Sequence, residues 1–265
     1  MTRVLSGIAL LAIVAGTIWF LPPTGAVVLA GIVLLLAFIE YAGLARAAGI
    51  EIARGPAVVA TLSTGGALAL APDALPVVLM AAGFVIALTG LAERRREGAL
   101  AAVGASGFAV LYLGAPLGAL GALAMQAGRE VLLLLLAVVM ASDIAQYYGG
   151  RLLGRRPLAP LVSPKKTIEG AVCGVVAGAA TLTVAGAWWL PGVPPGSRIV
   201  LGVTLAVLGI AGDLFESHLK RSSGMKDASN LIPGHGGVLD RLDALLFAAP
   251  VYYTVFAFGG GGRLP

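Results

Sequence analysis

Charge is scarce in this sequence: 12% of its 265 residues are Asp, Glu, Lys or Arg, about half the share found in soluble domains. With 58% hydrophobic residues and a mean hydropathy of +0.96, that scarcity excludes both a water-soluble globule and a disordered chain. The single cysteine, Cys173, excludes an internal disulfide and any multi-thiolate metal site. Aromatics make up only 6%, and no basic tract is interleaved with them, so the net charge of +5 does not point to a nucleic-acid partner. What is left is a chain suited to a lipid bilayer.

Its apolar runs, broken by Gly, Pro and charge, predict an all-α polytopic integral membrane protein with about nine transmembrane helices. The segments are 4–21, 26–45, 56–71, 74–92, 99–120, 131–148, 168–190, 198–216 and 239–258. The third, short and rich in Gly, Ser and Thr, fits a span least well. Arg3 ahead of the first run resembles the start of a signal peptide, but the run continues into Trp19, Phe20, Pro22 and Pro23 without a small-residue cleavage site, which favours a retained helix.

Nine spans would place the basic residues unequally. Arg3, Arg46, Arg54, Arg94, Arg95, Arg96, Arg151, Arg155, Arg156, Lys165, Lys166, Lys220, Arg221, Lys226 and Arg241 fall on the N-terminal side. Only Arg129, Arg198 and Arg263 fall on the other. Because basic loops stay inside, the expected N-terminus is cytoplasmic and the expected C-terminus external.

The chain divides by chemistry into a scaffold over 1–125 and a catalytic region over 126–265. The first half is mostly Ala, Leu, Gly and Val, and small residues such as those of Ser63-Thr64-Gly65-Gly66-Ala67 would let helices approach closely. Glu40, the one acid well inside an N-terminal span, is expected to pair with Arg46 or reach for the interface rather than to catalyse, although an intramembrane carboxylate retains some functional weight. In the second half, Asp143, Asp213, Glu216, Asp240 and Asp243 all come at cytoplasmic helix ends in this topology. The long basic loops 149–167 and 217–238 open on the same face.

Carboxylates near hydrocarbon are costly unless paired or bound to a cation. Asp213, Glu216 and Lys220 stack on one helical face, as do Asp240 and Asp243. Ion pairing with Lys220, Arg221 and Arg241 would account for each pair alone. Five acids together favour Mg²⁺, which binds hard oxygen donors and substrate phosphates. Ser163-Pro164-Lys165-Lys166-Thr167 leads into an apolar run, with Thr167 placed as a helix cap and Glu169 in the first turn. Two lysines at a helix start suit a phosphate, although they could equally serve only to hold the loop inside. Pro233-Gly234-His235-Gly236-Gly237 offers a backbone that a ligand can approach closely, and His235 either acts on a phosphate oxygen or serves as a hydrogen-bonding fixture.

The run from Ser217-His218-Leu219-Lys220-Arg221 through Lys226-Asp227-Ala228-Ser229 to Ile232-Pro233-Gly234-His235-Gly236-Gly237-Val238-Leu239-Asp240-Arg241-Leu242-Asp243 resembles the signature of the phosphatidate cytidylyltransferases, or CDP-diacylglycerol synthases. Ser142-Asp143, Ser163-Pro164-Lys165-Lys166-Thr167-Ile168-Glu169-Gly170 and Gly212-Asp213-Leu214-Phe215-Glu216-Ser217 extend the likeness over roughly 130–258, with departures at Gln146 and Tyr147-Tyr148. The resemblance implies an enzyme of a bacterial-type inner membrane that joins CTP to phosphatidate, giving CDP-diacylglycerol and pyrophosphate on the cytoplasmic face. It also implies dependence on Mg²⁺ with a second, monovalent cation such as K⁺, and a homodimer. In that frame Asp213, Asp240 and Asp243 bind metal, with Asp143 and Glu216 as further candidates. Lys220, Arg221 and Lys226 hold phosphates, while Lys165 and Lys166 meet the other substrate. His235 joins the catalytic set, and Ser163, Thr167, Ser217, Asp227, Gly236, Gly237 and Arg241 contact substrate. The competing expectations are a cytidylyltransferase for another lipid phosphate and an ion-coupled transporter, since embedded acids also mark ion pathways.

Overall fold

A computed structural model of the chain describes residues 2–92, 98–229, 231 and 236–258. Ten α-helices dominate: α1 (Thr2–Phe20), α2 (Pro23–Ala47), α3 (Arg54–Leu70), α4 (Leu75–Ala92), α5 (Ala99–Ala109), α6 (Ala115–Gln126), α7 (Arg129–Leu153), α8 (Ile168–Trp189), α9 (Pro195–Ser222) and α10 (Leu239–Phe258). Helices α5 and α6 are joined by a π-helical turn, Val110–Gly114, into one apolar rod. All nine expected segments are helical, and the protein is an all-α polytopic membrane protein. The count of nine spans is not reproduced, because seven helical stretches among the described residues are long and apolar enough to cross a bilayer. The third expected span, α3, has 17 residues, short of the roughly 20 that a hydrocarbon core requires.

The only strands among the described residues form a hairpin, β1 (Pro157–Ala159) with β2 (Ser163–Thr167), antiparallel, in a stretch expected to be loop. Leu161 lies at its tip, almost fully exposed. The hairpin gives way directly to α8. Thr167 accepts from the Gly170 N–H at 3.1 Å, as a helix cap should, so Lys165 and Lys166 lie on β2 beside the helix start.

Contacts divide the chain into two compact units. One comprises Met1–Gln126 with Leu219–Leu242, the other Ala127–His218 with Asp243–Pro265. Leu219–Leu242 is thus grouped by its contacts with the N-terminal helices.

In the first unit, α6 packs against α2 and α3 along small residues. A Cβ on Gly118 would lie 2.7 Å from the Gly65 carbonyl oxygen, and one on Gly114 would lie 2.9 Å from that of Thr61, so the helices meet backbone to backbone. Tyr41 donates to the Ala105 carbonyl at 2.9 Å and packs among Phe108 and Tyr112, fixing α2 beside α5. In the second unit α7 and α8 make the closest pairing. Gly170, Gly174, Gly178 and Gly186 are buried along α8 at multiples of four residues, which leaves a flat face. Against it a Cβ on Gly174 would lie 3.0 Å from the Ser142 carbonyl oxygen, and one on Gly178 would lie 2.9 Å from the Ala206 Cβ.

Candidate active site

In the second unit the acids come from three helices. Asp143 lies on α7, Asp213 and Glu216 on α9, and Asp243 on α10. The meeting of α9 and α10 depends on Gly212, where any Cβ would strike the Asp243 carbonyl oxygen. Beside it the Phe215 and Phe247 rings pack 5.5 Å apart. This contact brings the Asp243 side chain within the electrostatic reach of Asp213, Glu216 and Asp143. Glu216 is fully buried, Asp213 and Asp243 are half-buried, and Asp143 is exposed and accepts from Gln146 Nε2 at 3.2 Å.

Lys166 pairs directly with Asp213, whose other oxygen faces the Ser217 hydroxyl at 3.5 Å. The β-hairpin that carries Lys166 is fastened by Glu169, which accepts from the Arg155 and Arg156 N–H groups at 3.0 and 3.2 Å. Ser163 is half-buried on β2, and Lys165 is exposed.

In the first unit Asp240 makes the ion pair with Lys220 that the sequence offers as the alternative to a metal. Its Oδ1 takes the Lys220 ammonium at 2.6 Å, and its Oδ2 accepts from the Gly237 N–H at 2.7 Å and the Ala228 N–H at 3.1 Å. With side chains 11% and 6% exposed, Lys220 and Asp240 form a buried pair, and the second carboxylate oxygen is committed to the loop. Lys220 owes its place to the end of α9. Gly224, at φ +70°, closes a Schellman cap in which Met225 N–H donates to Lys220 O at 2.8 Å and Gly224 N–H to Arg221 O at 3.1 Å. Gly236, at φ +79°, puts its Cα where a Cβ would lie 2.7 Å from Asp240 Oδ2. Arg221, Lys226, Asp227 and Arg241 are exposed. His235 lies outside the described residues, as do Pro233 and Gly234.

The sequence singled out Glu40 but not its partners. Arg46 is exposed, whereas Glu40 is buried and accepts from the Ser229 hydroxyl and the Val238 and Leu239 N–H groups. These partners are up to 199 residues away along the chain. The one available signal was the acid's position inside a span, where a charge without a partner would be costly.

Among the described residues no three His, Cys, Asp or Glu side chains are grouped closely enough to hold one metal ion. In the second unit Asp243 lies within the electrostatic reach of Asp213, Glu216 and Asp143, and in the first Asp240 anchors the loop N–H groups of Ala228 and Gly237. The cluster still fits a hard divalent cation, since Mg²⁺ takes one or two carboxylates and completes its shell with water and substrate phosphates.

The profile of the cytidylyltransferase family matches residues 1–258. The chain belongs to that family. It is 43% identical over 150 residues to a phosphatidate cytidylyltransferase of Helicobacter pylori, covering 56% of this chain and 55% of the relative. A phosphatidate cytidylyltransferase of Synechocystis sp. is 46% identical over 132 residues, 48% of this chain and 44% of the relative. An uncharacterized Escherichia coli protein, YnbB, is 41% identical over 132 residues, 49% of this chain and 43% of the relative. The matched stretch thus spans about half the length of these curated relatives.

Proposed function

We propose that this family member transfers the cytidylyl group of CTP to phosphatidate, yielding CDP-diacylglycerol and pyrophosphate, in phospholipid synthesis. The observation that carries the reading is the acidic cluster of Asp213, Glu216, Asp243 and Asp143, with the Lys166 ammonium on Asp213. Opposite charges so arranged suit a polyphosphate and its cation, and two relatives named phosphatidate cytidylyltransferase narrow the choice of polyphosphate and acceptor.

A phosphate oxygen of phosphatidate attacks the α-phosphorus of CTP. The new P–O bond forms as the bond from the α-phosphorus to the bridging oxygen breaks, and pyrophosphate leaves with that electron pair. The nucleophile is already anionic near neutral pH, so catalysis rests on alignment and on neutralising charge rather than on a strong base. Asp213 and Asp243 would hold Mg²⁺, with Glu216 and Asp143 tuning the field; when bound, the ion would screen the phosphates and polarise the reacting P–O bonds. Lys166 and Lys165, with Ser163, Thr167 and Ser217 nearby in sequence or fold, contact one substrate's phosphate.

In the other unit Lys226, Arg221, Asp227, Arg241 and the Gly236-Gly237 backbone receive phosphate or ribose groups, and Lys220 and Asp240 keep that segment in shape. His235 would donate to a phosphate oxygen. A monovalent cation such as K⁺ beside Mg²⁺, a homodimer, and a cytoplasmic face of a bacterial inner membrane complete the proposal. The basic loops support that orientation through their charge.

The test incubates detergent-purified protein with labelled CTP, phosphatidate and Mg²⁺, omitting each in turn. A nucleotide-linked lipid that needs all three supports the reading. Label entering no lipid, or entering another lipid phosphate in preference, overturns it.

A further inference from the structure

Glu40 is 5% exposed in helix α2, yet its carboxylate receives three hydrogen bonds from one polar segment. The Ser229 hydroxyl donates to Oε1 at 2.6 Å, the Val238 N–H to Oε1 at 2.9 Å, and the Leu239 N–H to Oε2 at 2.7 Å. Ser229 opens the segment and Val238 and Leu239 close it, so a single carboxylate ties both ends. The approach is close enough that a Cβ on Gly237 would lie 2.5 Å from Oε2. Val238 and Leu239 lead into α10, where N–H groups have no partner within the helix and where an anion is favoured by the helix dipole. A carboxylate offers acceptors to all three donors, whereas an amide of the same shape has one oxygen and would turn an NH₂ towards an N–H.

We infer that Glu40 is a positioning residue for the transfer reaction. It clamps Ser229, Val238 and Leu239 so that the neighbouring Lys226, Asp227 and Gly236 are preset for the CTP phosphates. The inference rests on the function proposed above, and it gives the N-terminal half a role in nucleotide binding beyond scaffolding.

The experiment compares the full-length wild type with Glu40→Gln, Glu40→Asp and Ser229→Ala in detergent. Glu40→Gln should raise the KM for CTP about tenfold, more than it lowers kcat, because a loosened segment must be ordered at each binding event. Glu40→Asp, one methylene too short, should resemble it, and Ser229→Ala, which loses one of the three bonds, should raise KM about twofold to threefold. A purely structural role would reduce the folded fraction, and so the apparent kcat, with KM unchanged; that result overturns the inference.

Hydrogen exchange supplies a readout that needs no substrate. The Val238 and Leu239 amides should exchange about tenfold faster in Glu40→Gln than in the wild type, and unchanged protection overturns the clamp. Should Glu40→Gln not survive purification, Ser229→Ala decides alone by the same two measures. A wild type that makes no CDP-diacylglycerol, beside a Glu40→Gln variant with exposed amides, would sink the proposed activity while supporting the clamp.

Discussion

The Lys166 ammonium on strand β2 rests against the carboxylate of Asp213 on α9. An ammonium and a divalent cation compete for the same oxygens, so this pair sets both the ease of metal entry and the charge offered to a phosphate. Lys166→Ala should therefore bind Mn²⁺ about threefold to tenfold more tightly than the wild type in the absence of nucleotide, since one competing positive charge is gone. Its transfer rate should fall about tenfold or more, since a preset cation beside the reacting phosphate is lost. Electron paramagnetic resonance of free Mn²⁺ and single-turnover assays measure the two. Unaltered Mn²⁺ binding would exclude Asp213 as a ligand.

Asp243 lies among the charges of Asp213, Glu216 and Asp143, an arrangement that favours a bound cation and burdens the fold without one. Asp243→Asn removes a carboxylate that Asp213, Glu216 and Asp143 repel and keeps the shape of the side chain. Turnover should drop about 100-fold or more at every Mg²⁺ concentration. The thermal midpoint in detergent should stay at or above that of the wild type, because relief of like-charge repulsion stabilises. Activity restored at high Mg²⁺ would reduce Asp243 to a weak contributor.

Lys220 and Asp240 form a buried pair that also anchors two loop N–H groups. Lys220→Met leaves the carboxylate without its cation in a largely buried site and should cost about 3–5 kcal/mol of stability. Asp240→Asn should cost less, as the amide oxygen still accepts from the loop. Chemical denaturation of the double variant should show that the two losses do not add, with a coupling energy of about 1–3 kcal/mol. Additive losses would mean that the ion pair contributes nothing.

The helices were legible from local rules because each depends on an apolar run and its punctuation. Thr167 as a cap and the 239–258 helix are examples. The hairpin at 157–167 escaped because its register depends on Glu169 fastening the Arg155 and Arg156 backbone, and no alternation in the sequence reports that. The acids were found by their cost in a membrane, but how they are grouped depends on which helices touch. Asp240 and Asp243, one turn apart, are engaged differently because Asp240 meets Lys220 and the loop whereas Asp243 senses the acids of α7 and α9. Glu40 stood out as an acid inside a span, but its partners did not, because two of its three donors are distant backbone N–H groups, where residue type carries no signal.

Gly212 sets the distance between the helices that carry Asp213 and Asp243, because a side chain there would meet the Asp243 carbonyl oxygen. Gly212→Ala must push α9 away from α10, and overpacking of this kind costs about 1–3 kcal/mol. The larger effect falls on chemistry: a displacement of about 1 Å between the two carboxylates proposed to hold the metal should lower turnover about 100-fold. Gly66→Ala serves as a control, since a Cβ on Gly66 meets nothing within 4 Å and that residue lies on α3, away from every candidate site residue in sequence. It should leave both activity and midpoint within about 0.5 kcal/mol of the wild type. Mg²⁺-dependent turnover and thermal unfolding of the two variants separate close approach of the helices from glycine content as the cause. If Gly212→Ala turned over like the control, the contact between α9 and α10 would have no part in holding the acids together.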